Sequence, residues 1–256
     1  MPFAPTYLLK RHPVAIEAIF DFVLVLTYAF PKNVLEPLLA PGLTLDTFGD
    51  LGFLAVALVN TRHMRPKGMP EAIGQDFLLI GYRIFARYKT IEGRTLRGLR
   101  ILRSEADRPL MVQVGNVMTH YNYHLTKVTM EREGHQLKIW SQSADKLSDL
   151  RLTAQLFDDG SEHMPEGSPF SSVREALKFA GPMPFTFDYE RETHSIIRVE
   201  GVRQNWHPQS IPVVVDRCTF FNSEPFAKSP PILCSGFYMH DVPYWWKPGI
   251  VEKVQE

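Results

Sequence analysis

The stretch IFDFVLVLTYAF, residues 19–30, decides the fold class. It is rich in β-branched and aromatic side chains and stops at Pro31, a pattern typical of a buried strand followed by a turn. The wider apolar region from Val14 to Phe30 contains Glu17 and Asp21 and is shorter than the ~20 apolar residues that a membrane-spanning helix needs. We therefore expect residues 19–30 to form a core strand of a soluble protein.

Similar strand patterns follow along the chain at short spacing. Strands are predicted at residues 43–48, 51–60, 77–90, 94–104, 119–131, 136–143, 150–157, 185–189 and 194–204. The turn Ile91-Glu92-Gly93 joins two of these strands into a hairpin, and short helices are predicted at 31–40, 108–118 and 171–180. Many strands, few helices and no strand–helix alternation favour an α+β, mainly β fold, an antiparallel barrel or sandwich with attached helices.

Composition limits the classes of function. At 256 residues with 45% hydrophobic side chains, the chain can bury a large core, and we expect a single domain over residues 1–256. Lys and Arg total 28 and so do Asp and Glu, which gives a formal net charge of +0. This balance argues against nucleic acid or an anionic membrane as a partner. It leaves a small molecule as the expected partner and a homo-oligomer open.

The two cysteines and the start of the chain bear on location. Cys218 and Cys234 do not have the spacing of a zinc site, and free thiols are typical of a reducing compartment. The opening MPFAP, residues 1–5, lacks the basic and apolar regions of a signal peptide. We therefore expect a cytoplasmic protein.

Standard catalytic signatures do not occur in this sequence. It contains no GxGxxG, GxxxxGK[ST], GxSxG or HExxH pattern. We therefore predict no cofactor and give low rank to dinucleotide, P-loop and common hydrolase functions.

One group of candidate residues lies in the predicted strand that begins at Thr119. Strand alternation places His120, Asn122, His124 and Thr126 on one face and Tyr121, Tyr123, Leu125 and Lys127 on the other. If the polar face looks into a barrel, His120 or His124 could move a proton near neutral pH, and the alternative is that this face meets water. The two histidines lie ~13 Å apart along a strand, too far to share a metal ion, so no metal site is predicted.

The second candidate is Arg83. Alternation puts it on one face with Phe77, Leu79 and Phe85, among apolar neighbours. A buried arginine needs a carboxylate partner or an anionic ligand. Glu105, at the end of the next strand, is the expected structural partner, and a substrate carboxylate is the functional alternative.

Several segments resemble an uncharacterised branch of the acetoacetate decarboxylase-like superfamily. They are PKNVLEPLLAPGLTLD at 31–46, GYRIF at 81–85, EAD at 105–107 and YNYH at 121–124. The resemblance implies a cone-like β-barrel with an internal cavity and a few short peripheral helices. In the decarboxylase a lysine in a Gly-Phe-Pro-Lys-Lys context forms a Schiff base. The matching residues 119–123 contain no lysine, and Lys127 would reach the cavity only if a β-bulge reversed the alternation.

Two functions of different classes follow. The first is a lyase-like enzyme acting on a small organic acid or carbonyl compound without a Schiff-base lysine. In it His120 or His124 moves a proton, and the substrate-binding residues are Arg83, Glu105, Tyr121, Asn122 and Tyr123. The second is a non-catalytic protein that uses the cavity to bind a small molecule.

Overall fold

The structure of the chain is a computed structural model, and it describes residues 6–157, 160–181 and 183–254. The expectation about a signal peptide rests on residues 1–5, which lie outside these ranges. Within the described ranges, no helix is both long and apolar enough to cross a membrane.

The described chain is mainly β, with few short helices, as the sequence predicts. The three α-helices are α1 (Lys32–Leu35), α2 (Pro109–Met118) and α3 (Val173–Ala180). The strands are β1 (Ile16–Pro31), β2 (Leu43–Leu45), β3 (Thr47–Phe48), β4 (Leu51–Pro66), β5 (Gln75–Lys89), β6 (Thr95–Ala106), β7 (Tyr123–Glu133), β8 (Gln136–Ser143), β9 (Leu150–Gln155), β10 (Phe185–Glu190), β11 (Ser195–Arg203), β12 (Gln209–Ser210), β13 (Val213–Cys218), β14 (Ile232–Trp246) and β15 (Ile250–Lys253).

Seven strands pair in a closed ring. The order is β5, β4, β1, β14, β11, β10, β6 and back to β5. Antiparallel pairing joins β5 to β6, and a short parallel pairing of Gly98 and Leu99 with Phe185 and Thr186 joins β6 to β10. A second row of strands, β7, β8, β9 and β13, continues from β6.

The strand β1 is buried on both of its faces, which explains its nearly continuous run of apolar residues. Leu24 and Leu26 pack on the outer face of the ring, in a core shared with Ile139 of β8 and Leu152 of β9. On the other face Val23 belongs to a second core, on the inner side of the ring, which α3 joins through buried side chains. Burying a strand from both sides in this way removes its apolar surface from water on each face.

The structure confirms several local predictions. The hairpin of β5 and β6 has a continuous antiparallel register apart from one shift between Tyr82 and Arg83. The last predicted helix is α3, where Ser172 caps the N-terminus by accepting a hydrogen bond from the backbone N–H of Glu175. The long strand β14 was not predicted, because Gly236 and Pro243 interrupt its pattern.

The contact between β6 and β10 gives the first prediction. A Cβ atom added to Gly98 would lie 2.5 Å from the carbonyl oxygen of Phe185, so Gly98→Ala forces the two strands apart. We expect a loss of about 1–3 kcal/mol in the free energy of unfolding, measured by urea denaturation. The control is Gly236→Ala, where the nearest atom would be 3.0 Å away and a smaller loss is expected. Equal losses would contradict the tight fit at Gly98.

Candidate functional site

The candidate site is built around Arg83, on the inner face of β5. Its guanidinium folds back over Gly81, where an added Cβ would lie 2.7 Å from Nε. This Nε atom is buried and has no hydrogen-bond partner among the described residues. Burial lowers the pKa of Arg83, although the residue keeps part of its accessible surface.

Three tyrosines act on this guanidinium and raise its pKa against the effect of burial. Tyr244 has the largest effect, followed by Tyr123 and Tyr121. Burial raises the pKa of Tyr123 to about 12 and also raises those of Tyr121 and Tyr244. All three phenols therefore stay protonated near neutral pH and keep a hydrogen to donate. The Tyr121 hydroxyl shares a 2.8 Å hydrogen bond with the Thr186 hydroxyl.

A second arginine, Arg203, lies on β11 opposite Tyr244 of β14 in the strand register. Its guanidinium stacks over the ring of Trp206 at 4.7 Å. Burial lowers the pKa of Arg203, and the neighbouring Tyr244 raises it. The Tyr244 hydroxyl occupies the space that a side chain at Gly201 would fill, so a glycine makes room for it.

Arg83 and Arg203 differ from the other buried or half-buried arginines that the structure describes. Nine arginines in the described ranges are buried or half-buried, and seven of them form an ion pair with a carboxylate. The seven are Arg11, Arg62, Arg65, Arg97, Arg100, Arg103 and Arg198. Arg83 and Arg203 are the two without such a partner among the described residues. Both lie beside Tyr244.

Acid–base groups lie next to the tyrosines. Asp188 is buried and accepts a 3.1 Å hydrogen bond from Arg100, while its other oxygen faces His12 Nε2 at 3.8 Å. The His12 ring packs against Tyr121 with 5.0 Å between centroids. Its backbone φ of 53° is left-handed, a conformation that non-glycine residues adopt rarely. His120 is half-buried nearby, and burial lowers its pKa.

The expected pair of Arg83 with Glu105 does not form. Glu105 lies on the opposite face of the sheet, in register with Ile80, where its carboxylate accepts hydrogen bonds from Arg103 (2.6 Å) and Ser148. Paired residues of neighbouring strands point to the same face, so Glu105 shares the face of Ile80. Ile80 is an odd number of positions from Arg83 along β5, and Arg83 therefore points to the other face. Glu105 is thus separated from Arg83.

The polar face expected on residues 120–126 is also corrected. The strand begins only at Tyr123, and Asn122 is exposed with a left-handed φ of 51°. Tyr121 and Tyr123 are buried towards Arg83, whereas His124 lies elsewhere. His124 is half-buried, 3.6 Å from Asp145 and hydrogen-bonded to Asn122.

The structure brings together Arg83, Tyr121 and Tyr123 from the predicted site, with His120 at its edge. Sequence reasoning missed Arg203, Tyr244, His12 and Asp188. Gly81-Tyr82-Arg83, Gly98-Leu99-Arg100 and Gly201-Val202-Arg203 share the pattern Gly-x-Arg on a strand, but Arg100 is paired with Asp188, so the pattern alone does not identify Arg203. A glycine two residues before an arginine lies on the same face and leaves space beside it.

Lys127 is exposed on β7, and its register with β8 is regular from Thr126 to Glu133. The bulge that would turn Lys127 to the other face is therefore not found in this part of the strand.

Two surface depressions lie apart from these residues. Tyr28, Cys218 and Phe226 are among the residues of the larger one, and Arg97, Phe179 and Phe185 are among those of the other. Both cysteines are free thiols. Neither depression contains an unpaired buried arginine, and so the chemistry of the inner face marks the candidate site better than the shape of the surface does.

Solved structures with the same fold are acetoacetate decarboxylase-like proteins. An acetoacetate decarboxylase-like enzyme from Sphingomonas wittichii RW1 is 12% identical with a TM-score of 0.58, covering 96% of this chain and 94% of that chain. The acetoacetate decarboxylase from Legionella pneumophila is 14% identical with a TM-score of 0.60, covering 98% and 92%. The enduracididine biosynthesis enzyme MppR, complexed with the condensation product of pyruvate and imidazole 4-carboxaldehyde, is 12% identical with a TM-score of 0.63, covering 100% and 96%.

The chain thus has an acetoacetate decarboxylase-like fold, as the resemblance in its sequence indicated. No curated protein matches it. The sequence matches DUF2071, described as an uncharacterized conserved protein, over residues 18–242, and the chain belongs to this family.

The unpaired state of Arg83 predicts an unusual effect on stability. Replacing it by methionine, Arg83→Met, removes a desolvated charge and keeps an apolar stem of similar length. We expect the free energy of unfolding without ligand to rise by about 1 kcal/mol or more. Arg103→Met is the control, because this arginine is buried and paired with Glu105, and its loss should cost about 3–5 kcal/mol. Urea denaturation measures both, and comparable losses in the two variants would show that Arg83 has a partner.

Proposed function

We propose that this protein binds a small organic anion on the inner face of the strand ring and acts on it as a lyase-like enzyme without a Schiff-base lysine. In this proposal residues 1–256 are one domain, the ring is a cone-like β-barrel, and its interior is the binding cavity. The observation that carries the proposal is the buried guanidinium of Arg83, which has no carboxylate partner among the described residues. The free thiols of Cys218 and Cys234 fit a cytoplasmic location.

A desolvated guanidinium is costly unless an anion neutralises it. A carboxylate can accept two parallel hydrogen bonds from an arginine, and such charge-assisted bonds are stronger than neutral ones. The tyrosines beside Arg83 remain protonated, so they can donate to a carbonyl oxygen of the same ligand. Donors arranged around an oxygen that gains charge stabilise the transition state of reactions next to a carbonyl. The site therefore suits an organic acid that also carries a carbonyl group.

The similar fold of MppR supports this class of ligand. That enzyme was solved with a condensation product of pyruvate, which is a small 2-oxo acid. At 12% identity the likeness concerns the fold. The choice of ligand for this chain rests on Arg83 and its tyrosines.

Proton transfer would fall to the groups around Tyr121. His12 and Asp188 face each other there, and Asp188 also acts electrostatically on His120. Of the two histidines that the sequence suggested, His120 stays in the proposal, whereas His124 lies with Asp145 and Asn122 on the other side. Burial lowers the pKa of His120 and so favours its neutral form, which is the form that accepts a proton as a general base.

The second candidate function is a binding protein without catalysis. One observation favours it, because Nε2 of His12, Nε2 of His120 and Oδ2 of Asp188 are all buried and have no hydrogen-bond partner in the described part of the chain. A catalytic base must reach the proton that it removes, directly or through one water molecule. If these atoms stay covered, the site can hold a ligand and leave it unchanged.

Ligand binding is tested by thermal denaturation with a panel of small organic acids and 2-oxo acids. A ligand at 100 times its dissociation constant should stabilise the wild type by ~2.7 kcal/mol, and Arg83→Met should abolish this gain. The control is Arg94→Met, which removes an exposed arginine of the same hairpin and should keep the gain. Stabilisation that is equal in wild type and Arg83→Met would refute Arg83 as the anion site.

The absence of a Schiff base is tested by borohydride reduction in the presence of 2-oxo and 3-oxo acids. Lys127 is exposed on a regular strand, so it lacks the desolvation that activates an amine as a nucleophile. We expect no covalent adduct by mass spectrometry of the intact protein. An adduct that forms in the wild type and is lost in Lys127→Ala would restore the lysine mechanism.

A further inference from the structure

We infer that the ligand of the inner face carries two anionic groups, a dicarboxylate being the chemical class, with one group held by Arg83 and the other by Arg203. This inference rests on the proposed function and extends it from one anion site to two. Nothing in the fold or the family match assigns a role to Arg203.

The two guanidiniums belong to one group of residues. Arg83 comes from β5 and Arg203 from β11, and both are electrostatic neighbours of Tyr244 on β14. Arg203 shares its strand face with Gly201, over which the Tyr244 hydroxyl lies. Tyr244 is therefore a common electrostatic neighbour of two cations that come from different strands.

The charges of this group are not balanced by the protein. Neither Arg83 nor Arg203 has a carboxylate partner among the described residues, although the seven other buried or half-buried arginines do. The nearby carboxylate of Asp188 already accepts a hydrogen bond from Arg100. Both guanidiniums are desolvated charges, and a ligand with one carboxylate would neutralise only one of them. A ligand with two carboxylates neutralises both.

The surroundings of Arg203 suit a planar anion. The Trp206 ring covers one side of the guanidinium, and the N–H groups remain available to donate to a carboxylate. The protonated Tyr244 hydroxyl can donate to an oxygen near the middle of the ligand. A dicarboxylate with a carbonyl or hydroxyl oxygen between its ends would use all three donors.

The test compares matched pairs of acids that differ by one carboxylate, succinate with butyrate and glutarate with valerate, by calorimetry at fixed ionic strength. In the wild type we expect each dicarboxylate to bind about tenfold or more tightly than its partner, because it adds hydrogen bonds to a second charged group. In Arg203→Met this preference should fall to about onefold, while the monocarboxylates keep their affinity. Arg94→Met, the exposed control, should keep the full preference.

The outcomes separate this inference from the proposed function. If monocarboxylates bind through Arg83 and dicarboxylates bind no better, the two-anion ligand is refuted and the single anion site stands. If no acid binds to the wild type, both proposals fall. Arg203→Lys guards against a folding defect of Arg203→Met, since it keeps the charge and should keep part of the preference. A preference unchanged in both Arg203 variants would also overturn the inference.

Discussion

The parallel pairing between β6 and β10 is the constraint on which the inner face depends. It involves two residue pairs, and Gly98 lies so close to Phe185 that no side chain fits there. Through this contact the hairpin of β5 and β6 joins the strands from the second half of the chain. The ring is what lets Arg83 and Tyr244, which are more than 150 positions apart in the sequence, lie beside one another. A strand order without this closure would leave β6 with a free edge and open the inner face to water.

The sheet separates two kinds of charged group. On the outer side and at the ends of the ring, arginines are matched by carboxylates, as Arg103 is by Glu105 and Asp145. On the inner face, two arginines are surrounded by phenols instead. Phenols near neutral pH supply hydrogen-bond donors and no negative charge, so they leave the guanidiniums available. Functional sites often retain such an energetic cost, because a ligand can relieve it.

The sequence predicts what depends on neighbouring positions of one strand. The apolar run of β1, the β5–β6 hairpin and the apolar side chains of Leu79 and Phe85 on the strand of Arg83 all follow from local patterns, and the structure has them. Partners across strands could not be predicted in the same way. Glu105 belongs to the same hairpin as Arg83 yet lies on the opposite face, and the left-handed φ of Asn122 precedes a strand that begins only at Tyr123, so alternation does not extend back to His120. Strand β14 was missed because it is buried by tertiary contacts in spite of its glycine and proline.

Gly81 and Gly201 have an implication for how this family can diversify. Each leaves room for the side chain of another residue, Arg83 in one case and Tyr244 in the other. A glycine codon becomes an alanine codon by a single nucleotide change, and the new methyl group would displace the donor that now uses this space. Under the proposed function, homologues that differ at these two positions would accept different ligands while retaining the same strands. Divergence of specificity in this family can proceed by small steps in volume at two backbone positions, without the exchange of any catalytic group.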